Sequence, residues 1–127
     1  MKISEGNVFA CVAVSSFDVA RDFYGGTLGL KQVEENMGGI GFECGGGRIF
    51  VYISPTAGSG EATAAMWGVD DASEVAADLI AKGVEFERYE MEGVEFVDGV
   101  HLMGENFKNA WFKDPDGNVL GVVSGEM

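Results

Sequence analysis

Residues 110 to 123 read AWFKDPDGNVLGVV. Two apolar arms, Ala110 to Lys113 and Val119 to Val123, flank the polar run Asp114-Pro115-Asp116-Gly117-Asn118. Pro115 pre-sets φ for the first central position of a turn, Asp114 can bond its own backbone two residues on, and Gly117 can take positive φ. The stretch therefore predicts a β-hairpin with a chemically specified tip. Nothing in the turn is reactive. Its value lies in register, because a fixed turn fixes which residues of the following strand share a face.

Working back from the hairpin, the same kinds of element recur twice. Asn7 to Val14 (NVFACVAV) is a continuous apolar run, which predicts a strand buried on both faces. Ser15 and Ser16 are helix N-cap candidates, and Phe17, Ala20, Phe23, Tyr24 and Leu28 follow at the spacing of one helical face. Gly25-Gly26 weakens that helix, so it ends there or continues irregularly to Leu28. Strands are expected at Leu30 to Met37, Gly39 to Cys44 and Arg48 to Ser54, the last two joined by a turn at Gly45-Gly46-Gly47. That glycine triplet leads into a strand rather than a helix, which argues against a phosphate cradle.

Pro55 to Gly60 (PTAGSG) is small and turn-rich and marks the internal boundary. Beyond it come a strand at Ala62 to Val69, helix caps at Asp70 and Asp71, an apolar stripe of Val75, Ala76, Leu79 and Ile80, and a stop at Lys82-Gly83. Val84 to Tyr89, Val94 to Val100, Ala110 to Lys113 and Val119 to Val123 complete the strands. Val14-Ser15-Ser16 matches Val69-Asp70-Asp71, each a strand end entering a helix cap. The order strand, helix, run of strands thus occurs twice, with three strand candidates after the first helix and four after the second, an internal duplication with modules at about residues 6–56 and 61–124 joined by a 55–60 linker within one domain.

The 127 residues suffice to bury a core, and 46% hydrophobic content points to a globular chain. Acidic residues number 21 against 8 basic ones, a formal charge of −13, which repels phosphate backbones and anionic lipid and disfavours nucleic acid and membranes as partners. Neutral or cationic small molecules are easier to accommodate. Cys11 and Cys44 show no metal-ligand spacing and read as free thiols in a reducing compartment. With no leader pattern and no long apolar run, the expected location is cytoplasmic.

The duplicated βαβββ pattern, the run VSSFDVARDFYGGTLGL and the closing FKDPDGNVLGVV together resemble the vicinal oxygen chelate superfamily over about residues 6–124. That group includes glyoxalase I, extradiol dioxygenases and the bleomycin-resistance proteins. The resemblance implies an α+β fold in which two tandem βαβββ modules form a curled mixed sheet around a cavity. It also implies pairing into a homodimer through exposed strand edges. Its members commonly hold a metal on the first and last strands of each module, and counting from the motifs puts those four positions on Phe9, Val51, Ala64 and Gly121.

None of these four side chains can bind a divalent cation, nor do neighbouring positions supply a common ligand set. The implied cavity is instead apolar, lined by Phe9, Cys11, Ala13, Val51, Ala64, Met66, Gly68 and Gly121, with Trp111 able to stack on a ligand near its edge. No metal or other cofactor is expected, and the favoured reading is a metal-free protein that binds an apolar or cationic aromatic molecule without turnover. The alternative is an enzyme of the glyoxalase or dioxygenase type, metal-independent or with a rearranged ligand set such as Glu43 with His101. His101, the one histidine, is its acid-base candidate, with Asp98 or Glu105 to orient it in a loop. A third possibility is a protein-interaction role for a filled cup. Trp67, out of phase with Ala64, is expected to pack against a helix.

Overall fold

The computed structural model describes residues Met1–Gly125 and divides into two compact units, Met1–Ala57 and Gly58 onward. The first carries β1 (Ala10–Val14), α1 (Phe17–Ala20), β2 (Lys31–Asn36), β3 (Gly39–Cys44) and β4 (Gly47–Ile53). Its sheet runs β1-β4-β3-β2, with β1 parallel to β4 and the other pairs antiparallel. The second carries β5 (Thr63–Gly68), α2 (Ala72–Ala81), β6 (Phe86–Glu87), β7 (Glu95–Val97), β8 (Val100–Leu102), β9 (Lys108–Lys113) and β10 (Val119–Ser124). There the path is β5-β10-β9-β8-β7, again with the first and last long strands parallel, while β6 also pairs with β9. Each unit is thus a mixed, open sheet with one helix, and the β1-β4-β3-β2 path recurs as β5-β10-β9-β8, to which the second unit adds β7 and β6.

Local chemistry accounts for the element ends. Ser16 caps α1 by accepting the Val19 N–H at 3.3 Å. Past Ala20 the helix widens to a π-type turn over Arg21–Thr27, with Leu28 N–H reaching Phe23 O, and the chain leaves through Gly29 at φ 73°. The two glycines loosen the helix without ending it. Asp71 caps α2 through Ser73 N–H at 3.0 Å; its far end closes with Gly83 N–H on Ile80 O and Val84 N–H on Leu79 O around Gly83 at φ 93°.

The hairpin tip is built as its residues dictate. Asp114, 5% exposed, accepts from Asp116 N at 3.0 Å, Asn118 N at 2.9 Å and Asn118 Nδ2 at 2.8 Å. Gly117 sits at φ 96°, and β9 and β10 then pair from Lys113 with Val119 outward. Asn118 Oδ1 also receives the Gly58 N–H at 3.2 Å, and a Cβ on Gly58 would overlap the Asp116 carbonyl.

Side chains alternate across each sheet, and in both units the apolar core lies on the helix side. In the first, Val12, Val14, Ile40, Phe42, Ile49 and Val51 are buried with Ala20 and Tyr24, whose ring meets Phe42 at 5.9 Å. In the second, Val100 and Ala110 pack with Ala76 of α2, and Phe112, Leu120 and Val122 are buried on the same face. Trp67 stacks on Phe112 at 6.5 Å, which puts it on the α2 side.

Four sequence expectations need correction. The run Asn7 to Val14 is not buried on both faces: β1 begins at Ala10, and Cys11 is exposed while Val12 and Val14 are buried. The unit has a helix on one face of this sheet only, and Val12 and Val14 turn to it. Val51 is fully buried on the α1 side, so it does not line a cavity with Phe9 and Cys11; register pairs Cys11 with Phe50 and Ala13 with Tyr52 on the opposite face. The strand expected at Val94 to Val100 is two strands joined at Asp98-Gly99, both at positive φ (51° and 87°), as a two-residue type I′ hairpin requires. His101 therefore lies in β8, not in a loop.

Candidate functional site

Because paired residues share a face, the register of the second sheet places a definite set of side chains opposite α2. Met66, Gly121, Trp111 and Glu87 form one row; Gly68, Val123, Asn109, His101 and Phe96 form the next. Ala64 sits where the register shifts, Thr63 pairing with Val119 and Ala65 with Leu120, so alternation does not carry it onto that face. The structure thus brings Met66, Gly68, Trp111 and Gly121 together on one face of this unit. Phe9 and Cys11 lie on the face opposite α1 in the first unit, with Phe50 and Tyr52.

An aromatic group dominates the α2-remote face. The His101 ring stacks on Tyr89 at 5.9 Å and meets Phe96 at 4.8 Å and Trp111 at 5.1 Å edge to face; Tyr89 and Trp111 meet at 5.4 Å. The Arg88 guanidinium lies 5.5 Å from the centre of the Phe96 ring. Tyr89 and Phe96 escaped the sequence reading. The missed signal was Asp98-Gly99: read as a tight hairpin, it pairs Val97 with Val100 and hence Phe96 with His101.

His101 is fully buried. Its Nε2 accepts the Tyr89 N–H at 2.9 Å, which puts the proton of the neutral ring on Nδ1. Nδ1 has no hydrogen-bond partner among the described residues, so neither Asp98 nor Glu105 orients the ring. A general base needs a free lone pair within reach of substrate, and here the only one is bonded to backbone. The geometry gives the acid-base reading of His101 no support.

The four positions that the resemblance assigns to metal ligands fare no better as a metal site. Phe9 is half exposed just before β1, Val51 is in the core and Ala64 is exposed on β5. At Gly121 the space a side chain would occupy is filled: an added Cβ would lie 2.8 Å from Met66 Cε, 3.2 Å from Met66 Sδ and 3.2 Å from Trp111 Cδ1. Among the described residues no three His, Cys, Asp or Glu side chains converge to hold a metal, and Glu43 lies opposite Lys31 and Arg48 in the sheet. The residues present do not fit a divalent cation. Neither Cys11 nor Cys44 is joined in a disulfide among the described residues.

A duplicated module with one helix and with its first and last strands paired in parallel is the arrangement of the glyoxalase-like α+β domains. The chain belongs to the Glyoxalase/Bleomycin resistance protein/Dioxygenase superfamily, whose family model matches residues 7–122. Lactoylglutathione lyase from Agrobacterium tumefaciens is similar in structure at a TM-score of 0.68 and 18% identity, with 98% of this chain and 96% of that one covered. A glyoxalase family protein from Enterococcus faecalis matches at 0.68 and 21%, covering 94% and 97%. TnmS3, an antibiotic binding protein from Streptomyces sp. CB03234, matches at 0.67 and 21%, covering 95% and 98%. A search among curated proteins matched none. No helix among the described residues is long and apolar enough to cross a membrane.

Proposed function

We propose that this chain is a small-molecule-binding member of its superfamily that works without a metal, holding an apolar or cationic aromatic ligand against the sheet face that carries Met66, Gly68, Trp111 and Gly121. The observation that carries the reading is at Gly121: where a ligand-bearing side chain would project, Met66 and Trp111 close over the backbone instead. A thioether and an indole are soft, polarisable surfaces for a flat ring, not donors for a hard cation. Met66 is 43% exposed and thus available for contact. The formal charge of −13 favours cationic over anionic ligands at long range. The likeness to an antibiotic binding protein is in keeping with this reading.

In this proposal the protein is cytoplasmic and forms a homodimer through its edge strands β1 and β5, each paired on one side within the described residues. The test is a thermal-shift panel of planar aromatic compounds, neutral and cationic, with bleomycin among them, run with and without added Zn²⁺, Ni²⁺ or Mn²⁺. Aromatic hits that need no metal and weaken on Trp111→Ala support it. A panel without hits, or a shift that requires a stoichiometric metal, sinks it.

A further inference from the structure

One hollow in the first unit carries charges that the fold does not use. It measures about 160 Å³ and is lined by Phe9, Glu34, Gly41, Arg48, Ile49 and Phe50. Register sets Glu34, Gly41 and Phe50 side by side across β2, β3 and β4, on the face opposite α1. Gly41 is its floor: a Cβ there would point into the hollow, 3.5 Å from Glu34 Cβ and 3.8 Å from Glu34 Oε2. Phe9, 52% exposed, and Phe50 supply aromatic walls.

Arg48 and Glu34 both face this space without pairing with each other. Arg21, Lys82, Arg88, Lys108 and Lys113 all have acidic partners. Arg48, like Lys31, has no side-chain hydrogen bond or ion pair among the described residues, although Glu43 lies opposite both in the sheet. Glu34 engages Oε1 with Asn36 Nδ2 at 3.3 Å and turns Oε2 toward the Gly41 floor. A guanidinium fork and a carboxylate oxygen thus flank one apolar cleft, both with bonding capacity to spare.

We infer that this hollow binds a small zwitterion with an aromatic body, its carboxylate on Arg48, its ammonium on Glu34 and its ring over Gly41 between Phe9 and Phe50. A singly charged molecule satisfies one end and sets the other against a like or unmatched charge. The volume suits one six-membered ring, since a hollow of about 150 Å³ holds benzene. The inference rests on the proposed function only in taking the helix-remote faces as the ligand-holding ones.

Isothermal titration of the full chain with phenylalanine, phenethylamine and 3-phenylpropionate, at low salt, tests it. Phenylalanine binds roughly tenfold more tightly than either singly charged analogue, the scale of one charge-assisted hydrogen bond at a part-exposed site. Arg48→Gln removes its advantage over the amine, and Glu34→Gln its advantage over the acid. Both positions are exposed, and circular dichroism checks that the variants fold. Equal binding of all three probes, binding of none, or a preference that survives both substitutions overturns the inference. Hits in the aromatic panel would leave the proposed function standing in each of those cases.

Discussion

Replacing Asp114 by alanine should cost about 3 kcal/mol, at roughly 1 kcal/mol for each of the three donors its carboxylate satisfies. The donors are Asp116 N, Asn118 N and Asn118 Nδ2, all within 3.0 Å. Asp116 and Asn118 are half-buried, so water can recover part of each bond, which keeps the figure below the full value for a charged acceptor. For a chain of 127 residues that loss lowers Tm by roughly 10 °C. Urea unfolding should show a lower midpoint at an unchanged m value. Asp114→Asn is the sharper probe, because it keeps one acceptor and turns an amide toward the Asn118 amide. Adding Asn118→Asp should restore that bond and recover about 1 kcal/mol, a coupling that a double-mutant cycle isolates. A loss below about 1 kcal/mol for Asp114→Ala, or strict additivity of the swap, would refute the claim that this carboxylate builds the turn.

Further outcomes follow from other contacts. The Lys108 ammonium, with the Ser73 N–H, holds the Asp71 carboxyl below its usual value, so the stability it lends is present above the ordinary carboxylate range and lost as pH falls through the lowered value. Asp71→Asn should therefore flatten the acid limb of the urea midpoint against pH, and an unaltered limb would count against the pairing. Gly121→Ala should be destabilising by about 1 kcal/mol in wild type and nearly neutral beside Met66→Ala, since the thioether is what the new methyl meets. Identical costs in the two backgrounds would place the strain on Trp111 instead. His101→Leu strands the Tyr89 N–H but removes the unpartnered Nδ1, so the net change should stay within about 1 kcal/mol by thermal unfolding. A loss of several kcal/mol would mean that Nδ1 has a partner in solution.

What the residues announced in advance was whatever had its own local chemistry. Asp114-Pro115-Asp116-Gly117-Asn118 specifies its turn, Asp71 and Gly83 bracket α2, and Gly39 to Cys44 is the third strand to the residue. The match of Val14-Ser15-Ser16 to Val69-Asp70-Asp71 likewise has its counterpart in the strand path that the two sheets share, first strand beside last. Faces were harder. Arg48 to Ser54 is apolar at nearly every position, so alternation gives no clue to whether Val51 or Phe50 turns to the helix, and only pairing with Ile40 and Gly41 decides it. Register error of one residue exchanges the two faces completely, which is how a core valine was expected in a cavity. His101 was misplaced for a related reason: flanked by Gly99 and Gly104 it reads as loop, whereas Asp98-Gly99 is a turn tight enough to leave strands on both sides.

The parallel pairing of β5 with β10 also bears on how the second unit comes into being. Within the described residues β10 is the sole neighbour of β5 in the sheet, and it is synthesised on the order of fifty residues later. While translation proceeds, Thr63–Gly68 emerges with both of its edges bare and Met66 and Trp67 uncovered. Such late-closing, long-range pairing is slow and invites association with other nascent chains. A chain that has released β9 but not yet β10 would present an incomplete sheet, a natural substrate for a chaperone.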